Sequence, residues 1–218
     1  MEKQYDKFKE FFKNRDCQKM GLMSSWAWHD DPKRMSFMMS RYKFVSKILS
    51  GYEDILEVGC GDAFGSRIVA NSCKNLTCVD FDTDLLESAQ QTFCYDRVSV
   101  KFVLHNMLEG PIKGGFDAAF CLDVLEHIPQ DQESKFINNV VQSMSQRCAF
   151  LVGMPSLESQ KYASELSVLG HINCKTQKEL FDTMRFHFRH VFIFSMNDEV
   201  VHTGFASMSN YNIALGVN

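Results

Sequence analysis

The sequence predicts a single α/β domain with a doubly wound, mainly parallel sheet of seven strands, helices on both faces and an antiparallel C-terminal hairpin. Three observations predict this fold. Short apolar runs alternate with helix-like segments over residues 54–155, two more apolar runs follow towards the C-terminus, and no repeat or linker divides the 218 residues. Parallel neighbouring strands need crossover connections, and the alternating helices supply them.

The first predicted element is a helix over residues 33–50, and Gly51 ends it. Apolar residues recur in this segment at three- and four-residue spacing, which is typical of a helix with one buried face. These positions are Met35, Met38, Met39, Tyr42, Val45, Ile48 and Leu49.

The alternating strands and helices come next. The predicted strands are, in order, DILEVG, LTCVDF, VSVKFVLHN, FDAAFCL and CAFLVGM. Helices are predicted over residues 67–72, 84–92 and about 132–145. A helix over about 176–188 follows, with Thr176 and Glu179 spaced as in a capping box. The strand HVFIFSM and the segment 204–216 are then separated only by a polar loop, so we expect an antiparallel pair that closes the sheet.

Composition narrows the classes of function. A net charge of −4 and a pI near 6.0 leave no basic excess for a polyanion, so nucleic acid is not an expected partner. Eight scattered cysteines without a CxxC pair indicate that the thiols are reduced, as is usual in cytoplasmic proteins. The charged N-terminal segment does not resemble a signal peptide, and no apolar run approaches the roughly 20 residues of a membrane helix. We expect a cytoplasmic monomer or homodimer without membrane insertion.

The most informative segment is an apolar strand that runs straight into a glycine turn, ILEVGCGDAFG at residues 55–65. Gly59 and Gly61 allow backbone angles, and a close approach to a ligand, that a Cβ atom would forbid. Asp80 ends the next predicted strand, 19 residues beyond Gly61. A carboxylate there can accept hydrogen bonds from both hydroxyls of a ribose, which indicates a nucleotide-type site.

Two kinds of ligand are candidates for this turn, a dinucleotide and S-adenosylmethionine. A dinucleotide site needs GxGxxG so that a pyrophosphate can lie at a helix N-terminus, whereas here Asp62 follows the second glycine. Asp62 would repel a pyrophosphate. Glu57 and Asp62 together suit a ligand that carries ammonium and sulfonium charges, so the residues favour S-adenosylmethionine over NAD.

Four segments, LEVGCGDAFG, VDFD, LHNMLEG and FDAAFCLDVLEHIP, occur in this order within about residues 54–155. In them the sequence resembles the class I S-adenosylmethionine-dependent methyltransferases, in particular the small-molecule group that looks like the ubiquinone-pathway O-methyltransferases. The resemblance implies a Rossmann-like fold, O-methylation of a small acceptor, and S-adenosylhomocysteine as product. One departure is Ala63, where the family often has a further glycine.

The resemblance also implies which residues bind the cofactor. The glycine turn and the glutamate before it would contact the methionine part, Asp80 would hold the ribose, and Phe81 would pack against the adenine. Asn106 and Met107 stand where the family reaches the adenine amino group, and the two residues that end the fourth strand would lie near the methionine part. In chain order these residues are Glu57, Gly59, Cys60, Gly61, Asp80, Phe81, Asn106, Met107, Leu122 and Asp123.

The tryptophan-rich segment 26–32 precedes a helix that carries Arg34 and Arg41. In the resembling family this region folds over the cofactor, so an arginine there could pair with the methionine carboxylate. The tryptophans could cover the sulfonium or a flat substrate. The alternative is a surface helix with two solvated arginines.

Methyl transfer is an in-line displacement at an activated carbon, so the protein mainly aligns the nucleophile and excludes water, with a base where the acceptor is a hydroxyl. His127, just after the fourth strand, is one candidate base, and a structural role is its alternative. His171 is the second candidate. It lies in the long loop 155–173, which could cover the acceptor as a lid, and its alternative is a hydrogen bond to the backbone.

The polar run 197–199 with His202 is a third acceptor-side candidate, and a solvated hairpin turn is its alternative. Its spacing matches no ligand pattern, so no metal site is predicted.

We expect one methyltransferase domain over residues 1–218. It would comprise a helical cap over 1–50, a cofactor-binding core over 51–155, and an acceptor-side loop with the closing hairpin over 156–218. Without an added substrate domain, a small metabolite, a quinone precursor or a sugar is the expected acceptor. Two other functions remain open, namely an NAD-dependent oxidoreductase, which lacks its third glycine, and a non-catalytic methyltransferase-like binding module.

Overall fold

The computed structural model describes residues 3–13, 17–93 and 99–218. Cys94 and the first residue of the predicted strand VSVKFVLHN lie outside these residues. The helices are α1 (Lys3–Lys13), α2 (Leu22–Asp30), α3 (Lys33–Ile48), α4 (Ser66–Ala70), α5 (Thr83–Thr92), α6 (Glu133–Ser143), α7 (Glu165–Gly170) and α8 (Gln177–Arg185). The strands are β1 (Asp54–Val58), β2 (Asn75–Asp80), β3 (Ser99–Leu104), β4 (Phe116–Leu122), β5 (Met144–Pro155), β6 (His190–Asn197), β7 (Val200–His202) and β8 (Tyr211–Val217).

In the described part of the chain, eight strands form one sheet in the order β3-β2-β1-β4-β5-β8-β6-β7. Strands β1 to β5 pair in parallel, and β8 is antiparallel to both β5 and β6. The chain reverses its direction of winding between β1 and β4, which is where such sheets bind ligands at the carboxyl ends of their strands. The predicted doubly wound, mainly parallel sheet with its antiparallel C-terminal pair is confirmed.

The sheet has one strand more than the predicted seven. The additional strand, β7, pairs with β6, and Asn197 lies opposite Val200. Asp198 and Glu199 therefore form a two-residue turn, with Asp198 at a φ of 49°, which aspartate tolerates better than most residues. The polar run was predicted to connect strands, but its turn is tight enough for the following residues to pair.

Several element boundaries differ from the prediction. Helix α6 ends at Ser143, and β5 begins at Met144 instead of at Cys148, because Met144 pairs with Phe116 on β4. The loop predicted over 155–173 contains a short 3₁₀ helix, Leu157–Tyr162, and α7. The capping box at the start of α8 is confirmed: the Thr176 side chain accepts from the backbone N–H of Glu179, whose carboxylate accepts from the Thr176 N–H.

Apolar side chains fill a core on each face of the sheet. Neighbouring residues of β1 contribute to opposite faces, Ile55 to the core beneath α3 and α4 and Leu56 to the core beneath α6 and α8, as expected for the period of two in a strand. The predicted buried face of α3 is largely present, although Met39 is 37% exposed and borders a surface cleft beside Phe64. No helix among the described residues is long and apolar enough to cross a membrane.

Candidate active site

A cleft of about 410 Å³ lies at the carboxyl ends of β1, β2 and β4. Because these strands are parallel and adjacent, the residues that follow each of them meet at one edge of the sheet. Eight of the residues predicted for the site line this cleft, namely Gly59, Gly61, Asp80, Phe81, Asn106, Met107, Asp123 and His127. Six others lie outside its lining, namely Glu57, Cys60, Leu122, Arg34, Arg41 and His171.

The glycine turn is closely packed from two sides. Gly59 and Gly61 have φ angles of 75° and 54°, which favour glycine. A Cβ atom on Gly59 would lie 2.3 Å from a methyl carbon of Val124, and one on Gly61 would lie 2.9 Å from the sulfur of Met23. Ala63 has a φ of 54°, so a glycine at that position would relieve strain. The turn thus forms a cradle that larger residues would fill.

Asp80 holds this turn in place from the end of β2. One carboxylate oxygen accepts a hydrogen bond from the Gly61 N–H at 2.8 Å, and the other accepts from the Asp82 N–H at 3.0 Å. Beside it, Phe81 is 74% exposed and presents its ring to the cleft. A carboxylate next to an exposed aromatic ring suits a ribose and an adenine.

Glu57 lies beneath the turn and not in the cleft. Its side chain is buried, accepts a hydrogen bond from the Tyr42 hydroxyl at 2.8 Å and contacts the Cys78 thiol at 3.4 Å. Burial raises the pKa of Glu57 from 4.5 to about 7, against the lowering effect of the Tyr42 hydrogen bond. The structure therefore places Glu57 under the glycine turn, where its side chain supports the turn from below.

Asp62 was expected to face the charges of a ligand, but it binds the N-terminal region instead. Its carboxylate accepts hydrogen bonds from the Ser24 backbone N–H at 2.7 Å and from the Ser24 hydroxyl at 3.0 Å. This contact caps the start of α2, where backbone N–H groups lack partners within the helix. It also places Met23, the residue before Ser24, against the glycine turn and on the cleft wall.

The two arginines of α3 have protein partners. Arg41 binds Asp123 with two hydrogen bonds, of 2.9 and 2.8 Å, and its guanidinium carbon lies 3.8 Å from the centre of the Tyr211 ring. Arg34 pairs with Asp30 at 2.8 Å on the surface of the N-terminal helices. Arg41 is thus joined to a residue of the cleft through Asp123, whereas Arg34 matches the alternative of a surface arginine.

His127 and His171 meet at the side of the cleft. Their ring centres are 5.3 Å apart, and His171 lines a second cleft of about 500 Å³ beneath the loop that follows β5. His127 Nδ1 lies 2.8 Å from the carbonyl oxygen of Gly170. A carbonyl only accepts, so this nitrogen carries the hydrogen, and in the neutral form of the ring the lone pair is on Nε2. Burial and the neighbouring His127 lower the pKa of His171.

Glu126 is the residue that the sequence analysis missed. It is fully buried, and neither of its carboxylate oxygens has a hydrogen-bond partner among the described residues. Burial, and then the nearby Asp123, raise its pKa well above the usual value. One ligand atom from each of Glu126, His127 and His171 lies within 4.8 Å of the others, a donor set that fits a divalent cation. The signal in the sequence was the Glu-His pair after β4, but only the fold brings His171 to it.

The third acceptor-side candidate lies elsewhere. His202 Nε2 contacts the Asn197 side-chain oxygen at 2.7 Å, and His202 Nδ1 accepts from the Gly204 N–H at 3.0 Å. Both contacts stay within the β6–β7 hairpin and its flank, and none of these residues lines either cleft. The predicted alternative, a hairpin turn, is confirmed.

The fold and the cleft together define a Rossmann-like domain of the methyltransferase type. Residues 55–146 match the family model described as a methyltransferase domain. The ubiquinone biosynthesis O-methyltransferase of Xanthomonas axonopodis pv. citri (strain 306) is 27% identical over 113 residues, which is 50% of this chain and 47% of that protein. The chain spans about half the length of the curated relatives it matches.

Solved structures agree on the fold. The N-methyltransferase NodS from Bradyrhizobium japonicum WM9, in complex with S-adenosylhomocysteine, has a TM-score of 0.65 at 15% identity and covers 100% of this chain and 99% of its own. The small RNA methyltransferase HEN1 has a TM-score of 0.66 at 15% identity and covers 83% of this chain and 25% of its own. These matches confirm the resemblance drawn from the four segments: residues 55–146 are similar to a methyltransferase domain, and the solved methyltransferase structures share the fold.

Proposed function

We propose that this chain binds S-adenosylmethionine in the cleft at the ends of β1, β2 and β4 and transfers its methyl group to a hydroxyl of a small molecule or sugar. The observation that carries the proposal is the cradle formed by Gly59 and Gly61, which Asp80 holds and Phe81 borders. The O-methyltransferase name of the curated relatives supports oxygen as the acceptor atom.

The residues of the cleft fit this cofactor. S-adenosylmethionine would supply a methyl group on a sulfonium, a carbon already activated for displacement. The carboxylate of Asp80 would hold the ribose hydroxyls, and Phe81 with Asn106 and Met107 would hold the adenine. The glycine turn leaves room for the methionine part, and Met23 on α2 helps to exclude water. Arg41 would orient Asp123 towards that end of the cleft through their two hydrogen bonds.

The acceptor would enter from the second cleft, next to the two histidines. Gln160, Ser159 and Ser167 line this cleft together with His171, and none of its lining residues carries a formal charge. Amide and hydroxyl groups suit a neutral acceptor rich in hydroxyls. His127, with its Nε2 lone pair, would take the proton of the acceptor hydroxyl, and His171 is the second candidate for this role.

The Glu126–His127–His171 cluster offers a further means of orienting the acceptor. A divalent cation held there would lower the pKa of a bound hydroxyl. The three side chains would hold the cation, and the Gly170 carbonyl would orient His127 from behind, as ligands of the outer shell do. Metal-assisted alignment and general base catalysis are thus both open to this site.

We propose that the whole chain works as one cytoplasmic unit. In it, residues 1–50 form the cap, 51–155 the cofactor core, and 156–218 the acceptor side with the closing strands. The Ser24–Asp62 contact supports the cap, because it fastens α2 to the cofactor turn. HEN1 acts on RNA by name. The net charge of −4 argues against a polyanionic acceptor for this chain.

The proposal is tested by titration calorimetry with S-adenosylmethionine, S-adenosylhomocysteine and NAD in parallel. We expect the first two to bind and NAD not to bind. Asp80→Asn should weaken S-adenosylhomocysteine binding at least tenfold, because it replaces a charged acceptor, whereas Asp84→Asn on the exposed side of α5 should not. Binding of NAD alone would favour an oxidoreductase, and no binding would contradict the proposal.

Catalysis is tested separately with a labelled methyl donor and a panel of phenols, sugars and short RNAs. Once an acceptor is found, His127→Ala and His171→Ala are compared at saturating cofactor. A tenfold or greater loss of turnover in either variant supports a base or a ligand at that position. Cofactor binding without transfer to any acceptor would support the non-catalytic binding module.

A further inference from the structure

Helix α1 presents a row of aromatic side chains to solvent. Tyr5, Phe8 and Phe12 recur at three- and four-residue spacing and therefore lie on one face of the helix. They are 58%, 63% and 64% exposed, and Phe11 beside them is 54% exposed. Four large, exposed aromatic rings within an 11-residue helix form an apolar strip.

The charges of α1 are ordered around this strip. At about 100° per residue, helical geometry places Lys7 at one edge of the aromatic face and Lys9 at the other. Asp6 and Glu10 fall on the opposite side of the helix. The Lys9 ammonium lies 5.3 Å from the centre of the Tyr5 ring, at the edge of the strip. Lys13 falls beside Asp6 on that opposite side, so one lysine borders each edge of the aromatic face and neither acidic residue does.

We propose that α1 lies in the interface of an anionic lipid bilayer, with its aromatic face towards the acyl chains. Lysines at the edges of a buried apolar face can extend to the level of the lipid phosphates, and acidic side chains are tolerated only on the side that faces water. A helix of 11 residues is too short to span a bilayer, so it lies parallel to the surface.

The charge distribution favours this occupant over another protein. With four lysines and two acidic residues, α1 carries a charge of +2, which leaves −6 for the rest of a chain whose net charge is −4. The body is therefore repelled by an anionic surface, and α1 is the element with the complementary charge.

The experiment is sedimentation of the full chain with vesicles of 70% phosphatidylcholine and 30% phosphatidylglycerol, and with pure phosphatidylcholine. We expect binding to the anionic vesicles, at least fivefold weaker binding to the neutral ones, and release at 0.5 M salt. Phe8→Ser/Phe12→Ser should weaken binding at least tenfold, because it removes two rings from the buried face. Serine and phenylalanine have similar helix propensities, so the helix is retained.

The matched control is Phe186→Ser/Phe205→Ser, which removes two phenylalanines that are 84% and 71% exposed elsewhere on the surface. This variant should bind vesicles like the unmodified chain. Lys7→Gln should weaken binding about fivefold. S-adenosylhomocysteine binding should be the same in all these variants, so the test is independent of the proposed function.

Three results would overturn the proposal. The first is no binding of the unmodified chain to anionic vesicles. The second is equal loss of binding in the control and in the α1 variant. The third is a dimer, detected by light scattering, that Phe8→Ser/Phe12→Ser dissociates, because it would assign the aromatic face to a second copy.

Discussion

Replacing Glu57 with glutamine tests the burial of this carboxyl group under the cofactor turn. The side chain is 1% exposed, and its pKa is raised from 4.5 to about 7. A carboxyl group whose pKa is higher in the folded state stabilises the fold fully below the unfolded value, and this contribution is lost as pH rises through the folded value. Glutamine cannot ionise and can still accept a hydrogen bond from Tyr42.

The expected magnitude follows from the two pKa values. At about 1.4 kcal/mol per pKa unit, the rise from 4.5 to about 7 corresponds to about 3 kcal/mol in total. Most of this, about 2 to 3 kcal/mol, falls between pH 5 and pH 8. The free energy of unfolding of the unmodified chain, relative to Glu57→Gln, should therefore decrease by about that amount over this range.

The assay is urea unfolding of both proteins at pH 5, 6, 7 and 8. Glu87→Gln, on the exposed side of α5, is the matched control for the loss of one formal charge. A difference between the unmodified chain and Glu57→Gln that stays constant from pH 5 to pH 8 would refute the reasoning. In that case the Glu57 carboxyl group would be exposed to water, or paired with a group other than those that surround it in the structure.

Three further predictions concern the cleft, the histidine cluster and α8. Gly59→Ala should abolish measurable S-adenosylhomocysteine binding in calorimetry, because its Cβ would clash at 2.3 Å, while Gly110→Ala, with open space around it, should bind normally. Glu126→Gln should weaken Mn²⁺ binding at least tenfold in electron paramagnetic resonance, and absence of saturable binding to the unmodified chain would contradict the cation site. Thr176→Ala should lower the free energy of unfolding by about 1 kcal/mol in urea, and an unchanged value would show that its box with Glu179 adds no stability.

Strands in the middle of the sheet were the easiest elements to predict. The segment FDAAFCL coincides with β4, Phe116–Leu122, because a strand covered on both faces is apolar along most of its length, and Asp117 is the one polar residue here. The start of β5 was predicted four residues late. Its first residues, which include Ser145 and Arg147, are polar, and they are extended because Met144 pairs with Phe116. The composition of these residues does not predict that pairing, because the partner strand is distant in the sequence.

The residues of the site also divide into those that the sequence could identify and those whose partners only the fold reveals. The glycine turn and Asp80 could be found from the sequence, because a strand, a turn and a carboxylate at fixed spacing form one local unit. The partners of Asp62 and Asp123 could not, since Ser24 and Arg41 lie 38 and 82 residues away from them. A carboxylate predicted to face a ligand can equally cap a helix or bind an arginine, and only the packing of α2 and α3 decides between these roles.

The sequence by itself determined the order of the strands β1 to β6 and β8 and of the helices between them, the glycine turn, and the likeness to methyltransferases. Each of these follows from local residue spacing and from the period of the apolar residues. It did not predict β7 or α7. Only the tertiary structure decided that Glu57 is buried under the turn and that Glu126, His127 and His171 converge. The physical reason is that parallel strands bring the loops after β4 and β5 to the same edge of the sheet. The distances between side chains from different loops at that edge depend on how the loops pack, and local sequence patterns do not predict them.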